Sequence, residues 1–205
     1  SEFTISGAAA SVTLSGSSNM NVKNMASVLL KDDALLEITS GSMLCTDAGV
    51  LTLSNIGTTL EVSGGSSTIE GTCVVTMTTG TEFTANGAAT FSGNSQLNMN
   101  NADFNANTGT VFSGDFVASV ISGSQFDVVG NTNLEDAAAI SFSGSTFDVS
   151  GTLTQSDTSS LTANSVSTVN VVGDIIQTAG TILFSQSSSS ISGTISSSGT
   201  STVQA

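Results

Sequence analysis

The side chains able to do chemistry here are mostly carboxylates. Sixteen Asp and Glu stand against only Lys23 and Lys31, with no arginine and no histidine, for a formal charge of -14. Carboxylates act as a general acid and base when apolar surroundings raise one pKa, or hold calcium when several oxygens converge. Two pairs recur at similar spacing: Glu37 with Glu61, and Asp127 with Asp148. Each lies between two apolar residues that point the other way, so no carboxylate is expected to have the surroundings that general-acid work needs. Solvated carboxylates are the primary reading of these pairs, and a bound calcium ion is the secondary one. Neither an EF-hand loop nor a Gly-Gly-x-Gly-x-Asp repeat is present.

Other reactive groups lack their partners. Serine is abundant, but no histidine exists to activate it as a nucleophile. Lyase chemistry resting on an arginine or lysine base has no arginine, and both lysines fall near the start of the chain. Cys45 and Cys73 have no neighbouring imidazole or guanidinium to lower a thiol pKa. A buried free thiol pair is the first expectation for them, with a disulfide as the alternative. The expectation is therefore a chain with no catalytic residues and no cofactor.

The elements that position these groups come from an internal repeat. Glycines recur about every 21 or 22 residues, as from Gly109 to Gly130, Gly151 and Gly173. Ile121–Gly130 and Phe142–Gly151 match at most positions at an offset of about 21. One apolar column runs through Leu36, Leu60, Phe83, Phe104, Phe126, Phe147, Val169 and Ile191. Most members have an apolar partner two residues on, such as Ile38, Val62 and Ala85. A second column contains Val28, Leu51, Val75, Leu97, Ala118, Ile140, Leu161 and Ile182. The third and least regular is Val22, Cys45, Ile69, Phe91, Phe112, Leu134, Leu153, Ile175 and Ile195.

Apolar, polar, apolar alternation is the period of a strand. Three short strands per repeat, closed by Gly, Ser, Asn and Asp, make one coil that stacks on the next. The spacing predicts an all-β chain: a right-handed parallel β-helix, or β-solenoid, of about nine coils of 21–24 residues with three short strands per coil. Left-handed helices are built from six-residue units and run to about 18 residues per coil, which fits less well. Proline is absent, as a ladder needing every N–H requires. Residues 1–205 form one solenoid domain, expected to be a fragment of a longer one because both ends continue the columns without a cap. Ser1-Glu2-Phe3 reads as a cloning remnant.

On this register the phenylalanines are core. Cys45 falls on the third column and Cys73 just before the second, so the two are assigned to different faces. Outward positions of the first column are Glu37, Glu61, Thr84, Asn105, Asp127, Asp148, Asn170 and Ser192. Those of the second are Thr52, Thr76, Asn98, Ser119, Ser141 and Thr162, with Leu29 and Leu183 at its ends. A hydroxyl-bearing solenoid face raises ice binding as a remote reading, and polysaccharide processing is a second remote one by analogy of fold. The strong negative charge disfavours nucleic acid and anionic membrane surfaces as partners. No run is long and apolar enough to be read as a membrane-inserting segment. No Asn begins an Asn-x-Ser/Thr sequon although Ser and Thr fill roughly a third of the chain.

With stacked coils of this length, high Ser, Thr, Gly and Asn, few basic residues and scarce cysteine, the chain resembles the β-helical passenger regions of autotransporters and filamentous-haemagglutinin-like secreted adhesins. The likeness is architectural and carries no signature motif. It implies an extracellular or cell-surface rod that adheres or displays, with a cell-surface or glycan ligand. The alternative is a structural solenoid that stacks end to end into filaments or a surface layer.

Overall fold

A computed structural model describes residues 1–204 as strands and turns, with no helix among them. Most strands are three to five residues long, because each alternating segment is cut short by a turn of Gly, Ser, Asn or Asp. Asn and Asp take many of the left-handed turn positions, among them Asp47, Asn55, Asn101, Asp136 and Asp157.

The chain is a parallel β-solenoid. Each coil gives one strand to a nine-stranded sheet, the first face, from Ser11–Leu14 to Ser188–Ile191. The other seventeen strands form a sheet that wraps over two further faces. The second face begins with Glu2–Ser6 and Ser27–Lys31, and the third with Met20–Val22 and Met43–Cys45. In the last two coils the corner between them straightens, so Ile175–Ser185 and Ile195–Gln204 each run through both faces. The register slips there between Gln177 and Ala179. Each return from a strand to its parallel neighbour is a crossover of the kind that favours right-handed winding.

Register places like above like. Leu36 pairs with Leu60, Leu60 with Phe83, Phe83 with Phe104, Phe104 with Phe126, Phe126 with Phe147 and Phe147 with Val169. All are buried. Their rings meet at centroid distances of 5.1 Å for Phe83–Phe104, 4.6 Å for Phe104–Phe126 and 5.8 Å for Phe126–Phe147. Each fully buried ring contributes roughly 1.5–3 kcal/mol through removal from water. Phe116, which fits no column of the sequence reading, points inward from a corner and stacks on Phe112 at 5.2 Å.

Glycine marks one corner for a steric reason. At the turn following the first face, Gly151 N–H donates to the Gly130 carbonyl and Gly173 N–H to that of Gly151. A Cβ on Gly173 would stand 2.5 Å from the Gly151 oxygen, so the close approach of successive turns admits only hydrogen there. Elsewhere buried serines close the turns: Ser95 Oγ donates to Ser92 O at 2.8 Å and Ser159 Oγ to Ser156 O at 2.7 Å.

Three assignments are corrected. Ile191 pairs with Val171, and the partner of Val169 is the exposed Ser189, so the first apolar column ends at Val169. Leu153 pairs with Thr132 and Ile175, whereas the position above Leu134 belongs to Gln155 and then Gln177. Apolar identity had drawn the sequence register two residues off, because a buried amide occupies the expected hydrophobic site. The Gln177 amide nitrogen donates to Gln155 Oε1 at 3.1 Å and to the Gly180 carbonyl at 3.0 Å, which offsets part of the cost of burial, while Gln177 Oε1 has no partner.

The third correction is the cysteine pair, which forms a disulfide with Cα atoms 5.8 Å apart. Cys45 ends a third-face strand, and Cys73 directly precedes the second-face strand Val74–Met77 of the next coil. They share a corner whose last position, just before the second-face strand, points inward, as Cys73, Ser95, Phe116 and Ala138 do, so assignment to different faces did not separate them. Gly49 holds the position of Cys73 one coil earlier, as the pairing of Val50 with Val74 shows. A Cβ on Gly49 would lie 3.1 Å from Cys45 Sγ, so the glycine leaves room for the cross-link.

Candidate functional site

Outward side chains of the first face form two parallel columns, because a strand of four residues presents two positions to solvent. One column stacks Thr13, Glu37, Glu61, Thr84, Asn105, Asp127, Asp148, Asn170 and Ser190 in register. The expected ladder is thus present up to Asn170, and its last member is Ser190 in place of Ser192. The other column contains Glu82 paired with Asp103, a stacked acidic pair that the sequence reading missed. Its signal was present: these residues immediately precede Phe83 and Phe104 and share their offset.

The structure brings Glu37 beside Glu61 and Asp127 beside Asp148 as register partners on adjacent coils. The two pairs remain several coils apart. Among the described residues, no group of three or more His, Cys, Asp or Glu converges as a metal site would require.

Hydrogen bonding treats these carboxylates differently. Glu37 accepts from Thr13 Oγ1 at 3.4 Å. Glu61 Oε1 accepts from Ser63 Oγ at 2.7 Å and from Asn86 Nδ2 at 3.1 Å. Glu82 Oε1 accepts from Thr84 Oγ1 at 2.9 Å and Asn105 Nδ2 at 2.8 Å. Asp148 Oδ1 accepts from Asn170 Nδ2 at 2.6 Å. Asp127 Oδ1 is buried with no hydrogen-bond partner. Its neighbours explain why: Asn105, below it in the column, donates to Glu82, Val129 stands where Ser63 serves Glu61, and Ser150, in the place of Asn86, has its Oγ on the Gly130 N–H.

Electrostatics follow the same division. Burial, then the charges of Asp148 and Asp103, push the Asp127 carboxyl above its ordinary value of 3.8. Asp103 is also raised, by burial and then by Glu82, against a backbone hydrogen bond from Gln125 that lowers it. This revises the expectation that no carboxylate on the ladder has surroundings able to raise its pKa: the rows of stacked neighbours exclude water from the base of the Asp127 side chain. Asp174, fully exposed at a turn, is lowered by hydrogen bonds from the Thr194 backbone N–H and hydroxyl.

Beside Asp127 the first face meets its corner in an open groove of about 450 Å³, lined by Asp127, Val128, Val129, Asp148, Val149, Ser150, Asn170 and Val172. Val129 and Val172 are 54% and 60% exposed, so its rim is apolar and its floor carries negative charge. Such a site can bind through charge and apolar contact. No nucleophile with an adjacent base lies along it. No protein family, curated protein or solved structure matches this chain.

Proposed function

We propose that the chain is a non-catalytic extracellular or cell-surface rod that displays or adheres, of the kind found in the passenger regions it resembles. The observation that supports this most is the uninterrupted nine-stranded first face, whose outward positions are occupied in register by Thr, Asn, Ser, Gln, Asp and Glu, with Leu35 the apolar exception. At about 4.8 Å per coil the stack spans roughly 40 Å, and repeated polar groups along it let weak contacts add. The backbone donors and acceptors of interior coils are paired along the axis, so the rod is held by its own ladder.

Beads coated with the chain should be retained on cell or matrix layers above beads carrying an unrelated protein of similar negative charge. Equal retention rejects the adhesive role. Sedimentation across a concentration series, with negative-stain microscopy and with or without calcium, should give monodisperse short rods. Filaments one coil wide would replace this reading with the structural solenoid that assembles end to end.

A further inference from the structure

The groove beside Asp127 differs from the rest of the first face in a way that points to a partner. At the corner, two residues beyond each outward carboxylate position, Ser63 follows Glu61 and hydrogen-bonds to it, and Asn86 of the next coil joins it. Val129 and Val172 occupy the corresponding positions after Asp127 and Asn170, with Ser150 between them. For Asp127 a valine thus stands where Ser63 serves Glu61, and Ser150, in the place of Asn86, has its Oγ on the Gly130 N–H instead. Asp127 Oδ1 is left buried and unpartnered, with Asp148 one coil away carrying a second charge.

No cation of the chain reaches this place, since Lys23 and Lys31 belong to the first coils. We propose that the groove seats a lysine or arginine side chain from a basic segment of a partner protein, its alkyl stem against Val129 and Val172 and its cationic head on Asp127 and Asp148. The inference rests on the reading of the chain as a non-catalytic binding rod and names the chemistry of what it binds.

The chemistry of the groove and the charge of the chain favour this occupant. Long basic side chains bury their methylene stems on apolar surface while their charged ends stay on polar groups. A cationic head offsets the repulsion between the two stacked carboxylates. Calcium takes six to eight oxygens, and half of this rim is valine. A sugar stacks on aromatic rings, which the lining lacks. The chain's charge of -14 also draws a basic segment in from a distance.

The test is a methyl and carboxyl NMR titration of the whole chain with a pentalysine peptide, repeated with calcium chloride alone. Pentalysine should shift the Val129 and Val172 methyls and the Asp127 carboxyl together and saturably. The double substitution Asp127→Asn and Asp148→Asn should weaken binding by about tenfold, whereas Asp47→Asn with Asp115→Asn, which removes the same charge from exposed turns, should weaken it less than about twofold. Val129→Ser should also weaken it while preserving both carboxylates, which separates a lost wall from a lost charge.

Equal losses in the two double variants would reduce the effect to non-specific attraction and overturn the proposal. Saturable shifts of the same signals by calcium alone, with none by the peptide, would overturn it in favour of a metal site. Because the titration uses the isolated chain in solution, its failure alongside bead retention would reject the groove and leave the adhesive rod standing.

Discussion

The stretches of the first face around Glu61 and around Asp127 share one backbone plan and handle their charge in opposite ways. Both place a carboxylate in the same outward column over a fully buried ladder residue, Leu60 or Phe126. Around Glu61 its own coil supplies Ser63 and the next coil Asn86 as donors, and one coil on Thr84 and Asn105 do the same for Glu82. Around Asp127 the donors are engaged elsewhere or replaced by valine. The same division holds inside. The early coils carry the Cys45–Cys73 cross-link, whereas the later ones bury Gln155 and Gln177 as a hydrogen-bonded amide ladder. On the first face the backbone repeats coil by coil without a register shift, so the difference between Glu61 and Asp127 rests on side chains, whereas the Gln177 coil also departs in its backbone, where the register slips before Ala179.

The largest test of this comparison probes what the stretches share. Truncating Phe104 or Phe126 to Ala should each cost about 3–5 kcal/mol in equilibrium unfolding, because both rings are fully buried between rungs. Similar losses would place the difference between the stretches outside the core, while a much smaller loss at Phe126 would show a looser interior beneath the groove.

Next is the cross-link. Cys73→Ser opens a loop with a sequence separation of 28, and the chain-entropy relation puts the cost at roughly 3–4 kcal/mol. Hydrogen exchange should rise first in the coils around Val50–Ser54 and Val74–Met77, leaving those near Asp127 protected. Uniform acceleration along the rod would mean that it unfolds as one cooperative unit.

Exchanging the corner residues sharpens the contrast. Asn86→Val should destabilise by about 1 kcal/mol by removing a donor from Glu61, and Val129→Asn should stabilise by up to about 1 kcal/mol by giving Asp127 one. Urea denaturation of the two variants reads both signs, and identical signs would refute the donor argument.

The smallest effect is that of pH. Asp103 and Asp127 have folded pKa values above 3.8, so each binds its proton more readily folded than unfolded. Their contribution is fully present below 3.8 and is lost as pH rises through their raised folded values. Asp174 works the other way: its folded value lies below 3.8, and its contribution is lost as pH falls through that lowered value. Thermal midpoints should therefore rise as pH falls from 7 toward about 4, and Asp127→Asn should flatten that rise. An unchanged slope in the variant would show that general charge repulsion, not Asp127, controls it.

Much of the fold was legible because a β-solenoid writes its register into the chain. Stacked phenylalanines at a constant offset, outward polar residues between them and glycines at the tight corner each repeat with one period. Legibility failed where side-chain chemistry departs from the column. Gln155 and Gln177 displaced the reading of Leu153, since a buried amide imitates a hydrophobic position only once its hydrogen bonds are known. Glu82 and Asp103 are hard to see as a pair because the rest of their column, from Ser11, Leu35 and Thr59 to Gln125 and Thr146, carries no charge that would mark it. The groove was invisible because Val129 and Val172 are ordinary residues until their corner positions bring them beside Asp127.

Alternation and period, which are local and repeated, are enough to set the strands, their parallel stacking, the phenylalanine ladder and the outward carboxylates. Packing in three dimensions sets that Cys45 meets Cys73 across a corner, that Asn105 turns its amide to Glu82, and that Asp127 Oδ1 is left without a donor. Those outcomes depend on which side chains from adjacent coils reach the same point in space, and a period fixes the spacing of coils without choosing between competing hydrogen-bond partners.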